Sequence, residues 1–282
     1  MATTGNRLAG KVTLVTGSSP FINGGIACGL ADEGAKLVCI DFRLDYAEAC
    51  AREIRDKGGE AIAVRCDVTR DDQVQAAVRQ AEEAFGPPDI LVNGAMLQIR
   101  KGVLDMSADE FRRLLDVGVI GTFLFTQHTA KSMIRNQRQG SIINIISTEG
   151  HQGNLGNIAY GTAKAGLLNF TRAAAMELAG HGIRVNSLTP TATDPAEGRE
   201  RAEAWGVEWN QVALSIQRTD LTSGDQGIPL GKRPSPRHYA RAAVFLASDD
   251  AEMITGIDLR VDAGVISRYW RWNPGAKISP QE

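Results

Sequence analysis

Short uninterrupted runs of β-branched and aliphatic residues alternate with amphipathic stretches along most of the chain, and this alternation restricts the fold more than any other feature. Residues 11–16 (KVTLVT) read as a strand, 26–33 as a helix stopped by Gly34, and 36–41 (KLVCID) as a second strand. The rhythm continues with helix 45–57 before Gly58-Gly59, strand 61–65, helix 71–85 before Gly86-Pro87-Pro88, and strand 89–92. The second half adds residues 108–135 as one long helix or two joined at Gly118 and Gly121, then strand 141–146 and helix 157–179. Strand 183–188, helix 236–246 and strand 257–261 complete the pattern. Strands alternating with helices of this length form βαβ units in a parallel sheet. Strands that are apolar throughout belong to a sheet covered on both faces. The expectation is an α/β fold, a single doubly wound domain over residues 1–282 with a seven-stranded parallel sheet. Residues 189–236 are too long for an ordinary connection and are expected to form a substrate loop or lid, and residues 265–282 a C-terminal tail.

A chain of 282 residues buries a large core without disulfide or metal staples. Its 31 basic and 33 acidic residues are mixed along the sequence, giving a net charge of −2, so no basic tract suggests a nucleic-acid surface. No uncharged stretch reaches the ~18 apolar residues of a membrane span. Residues 1–10 are polar and lack the apolar core of a secretory signal. Cys28, Cys39, Cys50 and Cys66 form no C-x-x-C pair and have no paired histidine nearby, which argues against zinc, and no metal is expected. These features predict a soluble, cytoplasmic protein without nucleic-acid or membrane partners.

In a sheet of this kind ligands bind beyond the carboxyl ends of the strands, where strand order reverses. The first strand-to-helix turn reads Thr16-Gly17-Ser18-Ser19-Pro20-Phe21-Ile22-Asn23-Gly24-Gly25. Glycine permits a tight turn there, and free amides at a helix N-terminus attract a diphosphate. Gly17, Ser19, Phe21 and Ile22 are the candidates for that contact. The strict G-x-G-x-x-G spacing is absent, and a plain Gly/Ser-rich turn is the alternative. Asp41 ends the second strand, 24 residues beyond Gly17. A carboxylate at that distance bonds the hydroxyls of an adenosine ribose and repels a 2′-phosphate, which favours NAD over NADP. Arg43 is the counter-signal, since it could hold a phosphate or be a solvated loop charge. Asp67 and Val68, after the third strand, are candidates for adenine contact, with a helix cap as the alternative for Asp67.

Tyr160 and Lys164 are four residues apart on a helix and so share one face. Ser147 follows the fifth strand directly. An ammonium beside a phenol is expected to lower its pKa from ~10, and a cationic nicotinamide would add to the effect. Tyr160 then serves as acid or base, Ser147 holds the substrate oxygen, and the nicotinamide supplies hydride chemistry. A Tyr-x-x-x-Lys pair alone is common by chance; the serine 13 residues earlier makes the combination specific.

The chain resembles the short-chain dehydrogenases/reductases over roughly residues 8–264. The resemblance rests on Gly10-Lys11-Val12-Thr13-Leu14-Val15-Thr16-Gly17, Cys66-Asp67-Val68, Asp89-Ile90-Leu91-Val92-Asn93-Gly94-Ala95 and Ile143-Asn144-Ile145-Ile146-Ser147. It extends through Tyr160-Gly161-Thr162-Ala163-Lys164-Ala165-Gly166, Ile183-Arg184-Val185-Asn186-Ser187, Phe245-Leu246-Ala247-Ser248-Asp249 and Ile254-Thr255-Gly256. It implies a Rossmann-type sheet, a homotetramer (or homodimer), and nicotinamide-dependent interconversion of an alcohol and a ketone. It implies Ser147, Tyr160 and Lys164 as the catalytic set, with Lys164 also on the nicotinamide ribose. It places Asn93 and Ala95 along the cofactor, Pro190 and Thr193 near the carboxamide, and Val185 against the ring.

Three departures stand out. Phe21 and Asn23 occupy positions where the family has glycine, which implies a reshaped loop. The Gly25-Ile26-Ala27 helix start is similar to that of the family's enoyl-reductase branch, although that branch has a wider Tyr–Lys spacing. Gly118 stands where the family places the asparagine of its proton relay, and Met96 replaces the last glycine of Asn-Asn-Ala-Gly, which should narrow the pocket.

On the substrate side the candidates are Met96, His151, Gln152, Trp205 and Trp209. His151 and Gln152 lie in the polar loop after Ser147, where a solvated turn is the alternative. Residues 196–218 read as a lid helix, with Trp205 and Trp209 either walling the substrate or packing into the body. Tyr269, Trp270 and Trp272 form an aromatic tail suited to a subunit interface or a neighbour's pocket. The sequence thus points to an NAD-dependent dehydrogenase or ketoreductase acting on a small alcohol or ketone. A catalytically impaired NAD-binding regulatory or scaffold protein and an enoyl reductase are the alternatives.

Overall fold

A computed structural model describes residues 6–209 and 227–268. The expected alternation is realised in order: β1 (Val12–Thr16), α1 (Ile22–Ala31), β2 (Lys36–Asp41), α2 (Leu44–Asp56), β3 (Ala61–Arg65), α3 (Asp71–Phe85), β4 (Ile90–Asn93) and α4 (Ala108–Leu115). After a π-helical turn (Asp116–Ile120) come α5 (Gly121–Arg135), β5 (Gly140–Ile145), a 3₁₀ turn (Thr148–Gly150), α6 (Ile158–Leu178), β6 (Ile183–Pro190), α7 (Ala196–Trp205), α8 (Pro236–Ala247) and β7 (Asp258–Val261). The seven strands form one sheet in the order β3-β2-β1-β4-β5-β6-β7, and every pairing is parallel. Order therefore reverses between β1 and β4, which places the ligand crevice at their carboxyl ends.

The strands are apolar because both faces are covered. One layer packs Val15, Leu37, Cys39 and Ile143 under α1, α2 and α8. The other packs Leu14, Val38, Leu91 and Ile142 under α3, α5 and α6. Between β4 and β5 runs a buried polar ladder: Asn93 Nδ2 donates to Thr126 Oγ1 and Asn144 Oδ1, and Asn144 Nδ2 donates to Thr171 Oγ1, while Asn93 Oδ1 has no partner. It fixes α5 and α6 against the strands that carry the site.

Several boundaries differ from expectation. Helix α1 begins at Ile22, not 26, because the Gly24-Gly25 pair is tolerated inside a helix packed closely on α8. The stretch 108–135 follows the first of its two expected forms, one continuous helical run, with a π turn around Gly118. Strand β6 runs two residues further, to Pro190. The expected lid helix 196–218 stops at Trp205, where Gly206 adopts φ 68° in the left-handed region and ends it. Residues 210–218 lie outside the described residues, as do Tyr269, Trp270 and Trp272. Among the described residues no helix is long and apolar enough to cross a membrane.

Candidate active site

The crevice between β1 and β4 is built by two loops that interlock. Thr16 Oγ1 accepts the backbone amides of Gly94 and Ala95 at 3.0 and 3.2 Å. Gly17 sits at φ 72°, and a Cβ there would stand 2.8 Å from the Ala95 Cα, so only glycine fits this approach. Asn23 Nδ2 donates to both Gly17 O (3.1 Å) and Gly94 O (2.9 Å). The asparagine that departs from the glycine pattern thus ties the two loops together. The first amides of α1, those of Ile22 and Asn23, belong to the set that a helix cannot satisfy internally. They open beside Gly17, as a diphosphate would require. Phe21 does not roof the loop; its ring meets Trp209 edge-on, with centroids 5.4 Å apart.

Asp41 ends β2 on the same edge, half-buried. Its Oδ1 accepts the Arg43 amide at 2.9 Å, and burial pushes the carboxyl up to about 6 against that bond. Arg43 itself is occupied. Its guanidinium bonds both oxygens of Asp45 at 2.6 and 3.1 Å, lies 3.7 Å from Glu208 Oε2 and stacks 4.1 Å over the Tyr46 ring. Asp67 Oδ1 accepts from the amide and hydroxyl of Thr69, a local turn at the foot of α3. Val68 is buried in the core layer under α3 and α5. Ser19 contributes its carbonyl to the first turn of α1, accepting the Gly24 amide. Gly17, Ile22, Asn23 and Asp41 thus lie at the carboxyl ends of β1 and β2 and the start of α1 and remain the candidates for a dinucleotide contact.

Val185 is placed differently from the expectation. It pairs with Ile142 and is fully buried in the core, five residues below the Pro190 end of β6 and so roughly 16 Å from that edge. Thr193 fits the rim better: its hydroxyl donates to Thr191 O and lies 2.9 Å from the Tyr239 hydroxyl, beyond the Pro190 end of β6.

The catalytic candidates are brought together by α6 and the loop after β5. The turn Thr148–Gly150 lies flush on α6: a Cβ at Gly150 would stand 2.9 Å from the Lys164 carbonyl carbon. That contact, with the bond from Asn157 Nδ2 to Glu149 Oε2, seats the turn that carries Ser147 on the helix that carries Tyr160, close enough for the serine to act on the phenol. Lys164 is 3% exposed, its Nζ 2.6 Å from Ile145 O and 5.6 Å from the Tyr160 ring centroid. Burial lowers the ammonium to about 7. Burial also pushes the Tyr160 phenol up to about 12, while Ser147, Gln98 and the charge of Arg100 act in the opposite direction. The expected downward shift is therefore reversed, because desolvation of the phenol outweighs a lysine whose nitrogen is turned to a carbonyl. Gln98 and Arg100, on the loop after β4, influence the Tyr160 phenol and are candidates that sequence reasoning passed over; only their polarity within a loop at the strand edge signalled them.

The substrate-side candidates do not form one wall. Met96 packs its sulfur against Gly118. His151 Nε2 lies 3.0 Å from Asp258 Oδ2, in a group where Thr189 and Ser187 also donate to Asp258, so its ring is held toward β7. Gln152 is exposed. Trp205 is 6% exposed in the core, and its Nε1 donates to Glu53 Oε2 at 2.7 Å. Trp209 lies beyond the end of α7, against Phe21.

The chain matches a family model described as enoyl-(acyl carrier protein) reductase over residues 22–266. It is 35% identical over 260 residues to the 3-oxoacyl-[acyl-carrier-protein] reductase FabG of Aquifex aeolicus, covering 92% of this chain and 98% of that protein. It is 32% identical to the galactitol 2-dehydrogenase of Agrobacterium fabrum, covering 92% and 98%. Among solved structures it is similar to a short-chain type dehydrogenase/reductase from Mycobacterium marinum, at 33% identity and TM-score 0.79 over 92% of this chain and 96% of that one.

Proposed function

Since this chain belongs to the short-chain dehydrogenase/reductase family of oxidoreductases, we propose that it interconverts a secondary alcohol and a ketone with NAD(H). The observation that carries the reading is the convergence of Ser147, Tyr160 and Lys164 at the carboxyl end of β5, across the crevice from Gly17 and Asp41. Nicotinamide, when bound, would supply the hydride chemistry. Ser147 holds the substrate oxygen by hydrogen bond, and Tyr160 takes or returns its proton as general base or acid. Lys164 lies beneath the phenol and holds the ribose side of the site. Two relatives bear names of carbonyl or hydroxyl chemistry, a 3-oxoacyl reductase and a galactitol dehydrogenase.

Asp41 supports NAD over NADP, because a carboxylate at the end of β2 suits ribose hydroxyls and repels a 2′-phosphate. Arg43 does not offset it, since Asp45, Glu208 and Tyr46 hold its guanidinium. Ile120, Phe123, Ile134 and Met176 are exposed apolar residues on α5, the turn before it, and α6, which supports an oligomer, read as a homotetramer or homodimer in the cytoplasm.

The test is the appearance of NADH absorbance when the protein meets NAD and a panel of secondary alcohols and polyols. Turnover that disappears in Tyr160→Phe supports the reading. Binding of NADH with no turnover of any alcohol or ketone supports a regulatory protein that kept the fold, as Phe21, Asn23 and Gly118 would suggest. The family model's description favours an enoyl reductase as the second reading; consumption of NADH by a crotonyl thioester would establish it.

A further inference from the structure

Helix α7 is tied to the start of α8, where the Arg237 amide donates to Glu197 Oε2 at 3.3 Å, and more extensively to the cofactor side of the molecule. Arg201 Nη1 donates to Pro20 O at 3.1 Å, and Arg201 is paired with Glu197 and Glu53 at 3.0 and 3.4 Å. Trp205 bonds Glu53 through its indole nitrogen and accepts Arg52 Nη2 on its carbonyl at 3.0 Å. Beyond the helix, Glu208 O accepts the Tyr46 hydroxyl at 2.8 Å. A segment expected to roof the substrate is anchored to α2 and to the turn that opens α1.

At the centre of that contact stands Phe21. It is the residue before the open amides of Ile22 and Asn23, with φ −93° and ψ −124°. Its ring lies at 85° to that of Trp209, centroids 5.4 Å apart. Gly198 of α7 lies against both: a Cβ there would be 2.5 Å from Trp209 Cη2 and 2.7 Å from Phe21 Cδ2. The two rings and the glycine are mutually fitted, so a smaller residue at 21 or 209 would remove this contact between the turn and α7 while the ties of Arg201 and Trp205 remain.

We propose that Phe21 and Trp209 are positioning residues for the dinucleotide diphosphate: the aromatic contact clamps the 17–23 turn to α7 and presets the amides of Ile22 and Asn23. A phenylalanine in a glycine position then strengthens the cofactor site instead of closing it. Preset amides lose less order when an anion binds, and that difference appears as affinity. The proposal rests on the NAD(H) reading of the site.

The experiment is calorimetric titration with NADH of the full chain and of Phe21→Ala, Trp209→Ala, Trp209→Phe and the Phe21→Ala/Trp209→Ala double variant, with thermal midpoints recorded. An aromatic contact of this kind corresponds to roughly 3- to 10-fold in an equilibrium. Each alanine variant should bind NADH weaker by about that factor, Trp209→Phe should recover most of the loss, and the double variant should be no worse than the weaker single. Unchanged or tighter binding in folded Phe21→Ala and Trp209→Ala would overturn the clamp and leave the NAD(H) reading standing. Additive losses in the double variant would overturn it as well. A parent chain that bound neither NADH nor NADPH would overturn both.

Discussion

The sulfur of Met96 occupies the space that a side chain at position 118 would need. A Cβ on Gly118 would stand 2.7 Å from Met96 Sδ, 3.1 Å from its Cε and 3.5 Å from Ala163 Cβ. Two departures from the family pattern are therefore one packed pair: the missing asparagine and the extra methionine share a volume. Gly118 lies in the π turn, where its carbonyl accepts the Thr122 hydroxyl at 2.7 Å. Gly118→Asn alone should destabilise the protein by about 1 kcal/mol, at the low end for overpacking because a thioether can swing aside. Met96→Gly with Gly118→Asn should recover that loss. Thermal midpoints of the three proteins check it, and an unperturbed single variant would mean that Met96 moves clear at no cost.

Removing the phenolic proton carrier tests the chemistry without disturbing the packing. Tyr160→Phe keeps the ring over Lys164 and deletes the hydroxyl that Ser147 and Gln98 address. Turnover should fall by ~10² or more, the scale of general acid–base catalysis, with the thermal midpoint nearly unchanged. A fall of less than threefold would take the proton-transfer role away from Tyr160.

The cofactor site carries its own pH signature. Burial raises Asp41 to about 6, so its carboxyl is largely ionised at pH 7 and increasingly protonated below pH 6. Only the ionised form offers two acceptors to a ribose diol. NADH affinity should therefore weaken as pH falls from 7 to 5. Asp41→Asn should flatten that dependence, and Asp41→Ala should lose the preference for NADH over NADPH. Fluorescence titration with both nucleotides across this range measures all three. A pH-independent NADH affinity in the parent protein would place the ribose elsewhere.

The sheet was legible, and the proposed Ser147–Tyr160–Lys164 set could be picked out, because strand periodicity and an i, i+4 pair are local properties. Asn23 implies a reshaped loop by its type alone, but the bonds it makes there are not legible, since its partners at Gly17 and Gly94 meet only in the folded crevice. Trp205 and Trp209 look like one helical face by spacing. Gly206 ends the helix between them and sends one ring into the core and the other to Phe21, a stop signal that the sequence did contain. The direction of the Tyr160 shift depends on burial and on where Lys164 Nζ points, and neither has a local signature.

Lys164 should make the protein less stable at neutral pH than it needs to be. Its ammonium is fully enclosed and burial lowers it to about 7, against ~10.4 in an unfolded chain. Between those values the unfolded state binds more protons than the folded one, so this group makes stability rise with pH across that window. Below pH 7 both states are protonated and the folded state carries the full cost of a buried charge. Lys164→Met fills similar volume with no charge to desolvate, although it gives up the bond to Ile145 O. The variant should have no turnover, should be more stable than the parent at pH 7, and should lose that advantage as pH approaches 10. Urea midpoints of both proteins at pH 7, 8.5 and 10 give the comparison, and a gap that stayed constant with pH would mean that Lys164 titrates alike in the two states.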